Sequence, residues 1–246
     1  MKAELAMCPD PSGWWNDLFF KLQNCEQIDH ALTVLSRASQ DLGFAYCAFG
    51  YHNRPPFHFR NVVIKSSYPT PWVSRYLDQH YLEIDPIARL DVRDLTPTVW
   101  NDDLFSDAQP LWDEARSAGL RVGISQPCWD ARGRCGVFSL ARDYPALGCH
   151  EIEALRPYLA ALSHLSMTCV STIADRQRDD TTEINLTRRE IEILRWTADG
   201  GSAKSISNAL DISADTVNFH LKNCMRKLNA SSKVAAAAYA IAYGYL

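Results

Sequence analysis

Three short helix-forming segments follow one another between residues 187 and 228, and this pattern limits the fold of the C-terminal part of the chain. Thr187 precedes the first segment with Glu190 three residues later, the signature of a capping box, and Ser213 is placed to cap the third. Apolar residues of the third segment follow a 4-3-4 spacing, which predicts one buried stripe of Val217, Leu221, Cys224 and Leu228. Two short helices joined by a tight connection indicate a helix-turn-helix unit.

The other side of the third segment is polar and basic. It carries Asn218, Phe219, Lys222, Asn223 and Arg226. Amides can bond base edges in pairs, and cations can neutralise phosphates. A polar face on an isolated helix is usually a solvated surface, but this one belongs to a complete helix-turn-helix pattern, so the sequence favours DNA binding.

The charge of the chain is unevenly divided. The net charge of −4 argues against a uniformly basic nucleic-acid binder, yet residues from 181 onward carry +2 and the first 180 carry −6. Residues 174–185, around this division, are polar and lack periodic apolar residues, which is typical of a linker. We therefore predict two domains, at 1–174 and 186–246, joined by a linker at 175–185.

Residues 186–246 resemble the four-helix DNA-binding domain of the LuxR type. Glu190, Leu194 and Gly200 match the most constant positions of that family, and TVNFH at 216–220 matches its recognition helix. The resemblance implies an all-α four-helix helix-turn-helix domain that binds double-stranded DNA. It implies DNA contacts along the recognition helix and at the start of the last helix, from Thr216, Asn218, Phe219, Lys222, Asn223, Arg226 and Lys233.

Two positions depart from the pattern of the LuxR family. Ser205 stands where members often carry Glu, and Gly201 stands where they often carry Lys. Both lie outside the recognition helix. They are expected to reduce helix stability or backbone contacts without changing the role of the domain.

The first 174 residues alternate helix and strand signals. Trp15, Leu18, Phe19 and Leu22 fall on one helical face, and residues 150–174 form another amphipathic stretch. Strand patterns occur at 44–52, 58–65, 96–100, 121–129 and 135–143. Helices at both ends of an antiparallel strand set indicate an α/β fold, an α/β/α sandwich with an antiparallel sheet.

An aromatic stretch, YPTPWVSRY at residues 68–76, lies within this part of the chain. Trp72 and Tyr76 are four residues apart on one predicted helix, so they share a face. Asp85 follows Trp72 by 13 residues and Trp100 follows it by 28. Aromatic residues at helical spacing are usually core, but ring N–H and O–H groups near a carboxylate also suit a binding pocket.

These residues, together with Tyr68, Gly123 and Ser139 at matching spacings, resemble the N-acyl-homoserine lactone receptors of the LuxR family. The resemblance covers essentially the whole chain. It implies six ligand contacts: Tyr68, Trp72, Tyr76, Asp85, Trp100 and Ser139.

The chemistry of an acyl-homoserine lactone suits this set of side chains. Asp85 can accept a hydrogen bond from the amide N–H of the ligand, and Trp72 can donate one to the lactone carbonyl. The hydroxyls of Tyr68 and Ser139 can donate to the amide carbonyl. The rings of Tyr76 and Trp100 are expected to pack against the lactone ring. Buried groups of this kind cost about 1–3 kcal/mol each when unpaired, which links binding to folding.

By this resemblance the protein is a ligand-activated transcription factor. Ligand binding favours a homodimer, whose two recognition helices enter successive major grooves about 34 Å apart on a near-palindromic site. The helix around 150–174 is the expected dimer contact of the first domain, and the Ala-rich last helix is a weaker candidate in the second. The expected location is the cytoplasm, without membrane contact, and RNA polymerase stays open as a further partner.

Three alternatives compete with this interpretation. A phosphoreceiver needs a set of acids at strand ends, and Asp102 and Asp103 lack that constellation. An enzyme acting on the same lactone or a related amide needs a nucleophile beside a base, or a metal set, and the sequence has no GxSxG and no HxxxH. The third alternative is a receptor of this type that answers to another molecule or needs none.

Cysteine spacing argues against structural metal and disulfides. The eight cysteines form no CxxC pair and no zinc-ligand spacing, which indicates reduced thiols. The N-terminus has no apolar stretch of the kind a signal peptide needs. We expect no metal, no cofactor and no enzymatic activity.

Overall fold

A computed structural model of the chain describes residues 9–52, 62–90, 94–130, 134–179 and 184–246. The chain divides into two compact units. The first contains the described residues of 9–52, 62–130 and 135–174, and the second contains Arg134 and the described residues of 175–246. None of the helices in these ranges has the length and apolar content that crossing a bilayer requires.

An antiparallel sheet forms the centre of the first unit, with strand order β2-β1-β5-β4-β3. Its strands are β1 (Tyr46–His52), β2 (Val62–Ser66), β3 (Thr98–Val99), β4 (Val122–Trp129) and β5 (Cys135–Arg142). The helices around it are α1 (Pro11–Gln23), α2 (Ile28–Asp41), α3 (Thr70–Asp78), α4 (Gln109–Ser117) and α5 (Cys149–Asp179). The predicted antiparallel sheet with flanking helices is confirmed, although residues 58–61 of the β2 prediction lie outside the described residues.

The two faces of the sheet differ in side-chain size because side chains alternate along each strand. In β1, Phe49 and Tyr51 point to a core that also contains buried residues of α1, α2 and α5. The alternate positions, Ala48 and Gly50, are small and belong to the opposite face. A separate buried cluster, with residues of α3 and α4, packs against that second face.

The inward face of α1 differs from the prediction. Trp15 and Phe19 are 38% and 40% exposed, whereas Trp14 is buried together with the predicted Leu18 and Leu22. The Trp14 ring packs edge-on against Tyr158 of α5, with 5.1 Å between ring centroids. Because Trp14 and Trp15 are adjacent, helical periodicity alone allows either of them to face the core. The contact with Tyr158 of α5 favours Trp14.

Helix α5 is longer and more buried than the sequence indicates. It continues to Asp179, through the first residues of the predicted linker. Its apolar residues, including Leu155, Leu159 and Leu162, are packed in the core of their own unit. The exposed side chains along its middle are Arg156, Pro157, Ala160, His164, Thr168 and Thr172. This stripe is narrow and mixes polar and apolar side chains, and the expected dimer contact on α5 stays a prediction.

The second unit consists of α6 (Arg188–Ala198), α7 (Ala203–Leu210), α8 (Ala214–Lys227) and α9 (Lys233–Ala242). The predicted caps are confirmed: Thr187 and Glu190 form a capping box, and Ser213 accepts a hydrogen bond from the backbone N–H of Thr216. The predicted buried stripe of α8 is confirmed as well, since each of its four residues is at most 5% exposed.

Local structure accommodates both departures from the family pattern. The hydroxyl of Ser205 accepts from the backbone N–H of Ser202 at 2.9 Å, while Ser202 Oγ accepts from the N–H of Ser205 at 3.1 Å. Serine therefore completes a capping box in place of glutamate. A Cβ atom at Gly201 would lie 2.7 Å from the carbonyl oxygen of Trp196, so this turn favours glycine.

Candidate ligand pocket and DNA-binding surface

Asp85 lies in the turn that follows α3, where local hydrogen bonds orient its carboxylate. Tyr76 Oη donates to Oδ2 at 2.8 Å, and the backbone N–H of Ile87 donates to Oδ1 at 2.8 Å. Burial raises the pKa of Asp85, and these hydrogen bonds oppose that rise. A carboxylate has about four acceptor positions, so Asp85 retains capacity for another donor.

Two polar groups of the aromatic stretch have no hydrogen-bond acceptor among the residues that the structure describes. Trp72 is buried and lies against the rings of Tyr76 and Tyr81, with centroid distances of 6.0 and 6.1 Å. Within the described residues, neither the indole N–H of Trp72 nor the hydroxyl of Tyr68 donates a hydrogen bond. Burial raises the pKa of Tyr68, so its hydroxyl keeps its proton at neutral pH. The same aromatic cluster thus holds two donors without acceptors among the described residues, and the Asp85 carboxylate joins it through Tyr76.

Trp100 and two serines form a hydrogen-bonded chain across the sheet. Trp100 Nε1 donates to Ser125 Oγ at 2.8 Å, and Ser125 Oγ lies 2.8 Å from Ser139 Oγ. Both serines are nearly inaccessible, at 0% and 5% exposure. Because the indole N–H occupies an acceptor position of Ser125, that hydroxyl can donate to Ser139, which leaves the Ser139 proton for another acceptor.

The Trp100 ring lies directly on the backbone of Gly123. A Cβ atom at Gly123 would be only 2.2 Å from Trp100 Cδ2. Trp100 also makes edge-to-face contacts with Phe105 and Trp112, whose own rings stack at 4.5 Å. Gly123 therefore allows a large aromatic wall to approach the sheet closely.

A salt bridge joins the two helices that cover this face. Arg75 of α3 donates two hydrogen bonds to Glu114 of α4, each at 2.8 Å. The Arg75 guanidinium lowers the pKa of Glu114. This bidentate pairing fixes α3, the helix that carries Trp72 and Tyr76, with respect to α4.

Apolar surface remains accessible on the same face of the sheet. Ala48, Gly50 and Val137 are partly exposed, and Ile64 is 39% exposed, whereas Phe49 and Phe138 on the other face are at most 2% exposed. Small side chains of this kind leave room above a sheet, and their surface suits an apolar chain rather than a polar group.

Most of the six predicted ligand residues lie in or against one cluster. Trp72 is a buried member of it, and Tyr68, Tyr76 and Trp100 pack against it. Asp85 joins through Tyr76, and Ser139 joins through Ser125 and Trp100. The sequence interpretation missed the ring partners Tyr46 and Tyr81 and the linking Ser125. Ser125 lies on the other strand of the predicted hairpin, but its pairing with Ser139 depends on the strand register, which the structure supplies.

The second unit presents its polar surface on α8. Asn218, Phe219, Lys222 and Arg226 are exposed, as is Lys233 at the start of α9, while Asn223 is half-buried. A groove of about 520 Å³ runs beside them, lined by Asp215, Asn218, Phe219, Leu221, Lys222, Met225 and Lys233. Among the described residues, Lys222, Arg226 and Lys233 have no ion-pair partner, so their charge is available to an anion.

Thr216 occupies a different kind of position from the other predicted DNA contacts. It is half-buried, and its hydroxyl lies 2.8 Å from Ser213 Oγ at the start of α8. Its first role is therefore in the helix cap. Asp215, in contrast, lines the groove and was not predicted. Its spacing from Asn218 and Phe219, three and four residues, is the signal that could have identified it.

A buried ion pair holds the ends of α6 and α8 together. Lys227 Nζ lies 2.7 Å from Glu190 Oε2 and also donates to the carbonyl oxygen of Asn185. Burial favours the neutral form of Glu190, but the hydrogen bonds from Lys227 and Thr187 outweigh it, so the pKa of Glu190 is lowered. The ion pair therefore helps to hold α8, whose side chains line the groove, against α6.

Two known domain families match this chain. Residues 27–170 match the autoinducer binding domain, and residues 184–240 match the bacterial regulatory proteins of the luxR family. The quorum-sensing regulator RhlR of Pseudomonas aeruginosa is 36% identical over 95% of this chain and 96% of its own length. The crystal structure of Escherichia coli SdiA has a TM-score of 0.83 at 34% identity, covering 96% of this chain and 99% of that one. A structure of SdiA in complex with octanoyl-rac-glycerol has a TM-score of 0.80 at 33% identity, covering 95% of each chain.

Proposed function

We infer the mechanism from the premise that this chain belongs to the LuxR family of quorum-sensing transcriptional regulators. Its first unit is an autoinducer-binding domain, and its second unit is a helix-turn-helix DNA-binding domain. The proposed ligand is an N-acyl-homoserine lactone. The proposed active form is a cytoplasmic homodimer that binds a near-palindromic promoter site, where it can meet RNA polymerase.

One observation carries the ligand proposal: two donors without acceptors among the described residues, Trp72 and Tyr68, lie in the aromatic cluster that the Asp85 carboxylate joins through Tyr76. An acyl-homoserine lactone complements this set, because it has two carbonyl acceptors and one amide donor. In the proposed complex Asp85 accepts the amide N–H, and Trp72 donates to the lactone carbonyl. Tyr68 and Ser139 donate to the amide carbonyl.

The apolar surface of the sheet suits the acyl tail. Ala48, Gly50 and Val137 would lie along it on the floor of the pocket. The SdiA complex with octanoyl-rac-glycerol supports a ligand with an acyl chain and a polar head. That acylglycerol is the second candidate class, since its head carries hydroxyl groups in place of an amide N–H.

Ligand binding is coupled to folding in this arrangement. Each buried donor without a partner costs about 1–3 kcal/mol, and a ligand that pairs it removes that cost. The buried Asp85 carboxylate also costs stability in the absence of ligand, because burial disfavours its charged form and raises its pKa. Without ligand, stability falls as pH rises from the ordinary Asp range through that raised pKa, and the loss persists above it. A ligand N–H stabilises the carboxylate and so opposes this loss.

Asp85→Asn should remove most of the lactone response. Loss of a hydrogen bond to a charged group costs about 1.5–3 kcal/mol, so the lactone concentration needed for stabilisation should rise roughly 10- to 150-fold. The measurement is the unfolding temperature of the full chain, titrated with butanoyl-, octanoyl- and dodecanoyl-homoserine lactones. Without lactone the variant should be no less soluble than the wild type, because it buries no charge.

Asp17→Asn is the matched control, since Asp17 is an exposed acid on α1. It should leave the titration unchanged. Octanoyl-rac-glycerol separates the two ligand classes: a lactone that binds through its amide should lose more affinity in the Asp85 variant than the acylglycerol does. An unchanged lactone response in Asp85→Asn contradicts the proposed pocket.

The dimer is proposed on the exposed surface of α9. Val234 and Ile241 are seven residues apart on this helix and are 69% and 56% exposed. Residues at that spacing share a helix face, so they form an apolar strip outside the core of the unit. A second copy would cover this strip and would set the distance between the two recognition helices.

Lys222→Ala should weaken DNA binding and lower its salt dependence. Each phosphate contact contributes about 0.9 to the slope of log affinity against log salt, so a dimer should lose nearly two units of slope. The measurement is operator affinity at several salt concentrations, with a site selected from random duplexes. Lys21→Ala, an equal charge change on α1, is the control and should leave the slope unaltered.

A further inference from the structure

Phe219 places a large apolar ring in solvent at the centre of the polar face of α8. It is 61% exposed, whereas Val217 and Leu221 are 0% and 5% exposed. Two residues along an α-helix turn the side chain through about 200°, so Phe219 points away from the core in which those neighbours pack. Single exposed apolar residues are common on protein surfaces, so the position of this ring, rather than its exposure, carries the argument.

Phe219 lies among the side chains of α8 that are proposed to contact DNA. It lines the groove of α8 together with Asn218 and Lys222. Its one ring contact in the described structure is with His220, at 5.6 Å between centroids and an angle of 70°. That edge-to-face contact steadies the ring and leaves much of its surface free. The ring therefore stands on the same side as the amide and the cation that are proposed to meet DNA.

The chemistry of the major groove restricts what an apolar ring can recognise there. Base edges in that groove present hydrogen-bond donors and acceptors, and the thymine C5-methyl group is their apolar feature. A ring has no donor for a phosphate, and apolar side chains that unstack bases act from the minor groove, which does not admit a helix. We propose that Phe219 packs against a thymine methyl group in each half-site, making it a specificity-determining residue for DNA.

The inference rests on the proposed DNA-binding surface and adds a base preference to it. The amide of Asn218 and the cations Lys222 and Arg226 can select or position bases through hydrogen bonds and charge. Those contacts do not distinguish thymine from uracil, which presents the same hydrogen-bonding groups. A dependence on the methyl group is therefore a property of the apolar contact.

The test uses the full chain purified with one lactone. That lactone is the one among butanoyl-, octanoyl- and dodecanoyl-homoserine lactone that most raises the unfolding temperature of the chain. Wild-type protein selects duplexes from a random pool, and each thymine of the selected half-site is then replaced by uracil, which lacks only the methyl group. At one position the replacement should weaken binding about fourfold per half-site, and roughly fifteenfold when both half-sites are changed. In Phe219→Ala the same replacement should have almost no effect.

Phe219→Leu is the conservative variant and should retain part of the preference for thymine. The inference is overturned if uracil is tolerated at every position by wild-type protein, if the selected site contains no thymine, or if the preference survives in Phe219→Ala. In those cases binding itself is intact, so the DNA-binding proposal stands. Failure of wild-type protein to select any duplex would overturn both.

Discussion

Replacing Lys227 with methionine should destabilise the second unit by about 3 kcal/mol, the lower end of the range for breaking a buried ion pair. The Glu190 side chain is 4% exposed and Lys227 is 24% exposed, so water can compensate for only part of the lost contact. Methionine keeps the apolar stem of the lysine but leaves the carboxylate of Glu190 without its cation. Hydrogen exchange of α6 and α8 in the full chain, resolved by mass spectrometry, measures the change.

The pH dependence identifies the cause of this effect. Because the pKa of Glu190 is lowered in the folded wild type, the pair contributes stability above the ordinary Glu range and loses it as pH falls through the lowered pKa. In the variant, an unpaired buried Glu190 should have a raised pKa and should gain stability in acid. The gap between the two proteins should therefore narrow as pH falls. Adding Glu190→Gln to the variant should recover part of the loss, and a gap that is independent of pH would refute the explanation.

Gly123→Val should lower the free energy of unfolding of the first unit by about 3 kcal/mol or more. The substitution combines overpacking with the loss of a buried hydrogen bond. The new Cβ would lie 2.2 to 2.7 Å from three atoms of the Trp100 ring. Trp100 must then leave its position, and its hydrogen bond to Ser125 is broken. We expect a large loss of soluble protein and of lactone stabilisation, measured by yield and by thermal unfolding.

Gly148→Val is the matched control, because a Cβ at Gly148 has no atom within 4 Å. It should behave as the wild type. In a Trp100→Ala background the Gly123 substitution should cost much less than it does alone, since the clashing ring is gone. Equal costs in the two backgrounds would mean that Trp100 does not pack on Gly123.

The features predictable from the sequence are those encoded within a few residues. The caps at Thr187 and Ser213 depend on neighbours three positions away, and both are confirmed. The strands and the antiparallel sheet follow from alternation within short segments, and they too are confirmed. The aromatic cluster around Trp72 was likewise indicated by its spacing, although the roles of its members as ligand contacts stay predictions.

The features that the sequence did not reveal join distant parts of the chain. Arg75 and Glu114 are 39 residues apart, and no local pattern relates them. The link from Trp100 to Ser125 depends on the strand register, which single-strand periodicity does not supply. The choice of Trp14 over Trp15 depends on a ring of α5. Each of these three contacts depends on tertiary packing, because the local sequence is compatible with more than one arrangement.

The two faces of the sheet have a consequence for how this protein can diversify. Large residues such as Phe49 and Phe138 hold the fold on one side, while Ala48, Gly50 and Val137 lie on the other. Because neighbouring positions in a strand point in opposite directions, a change of size on the second face leaves the packing of the first untouched. At these three partly exposed positions, unlike at Gly123, which lies against Trp100, descendants of such a gene can therefore alter the shape of the recognised molecule by single steps.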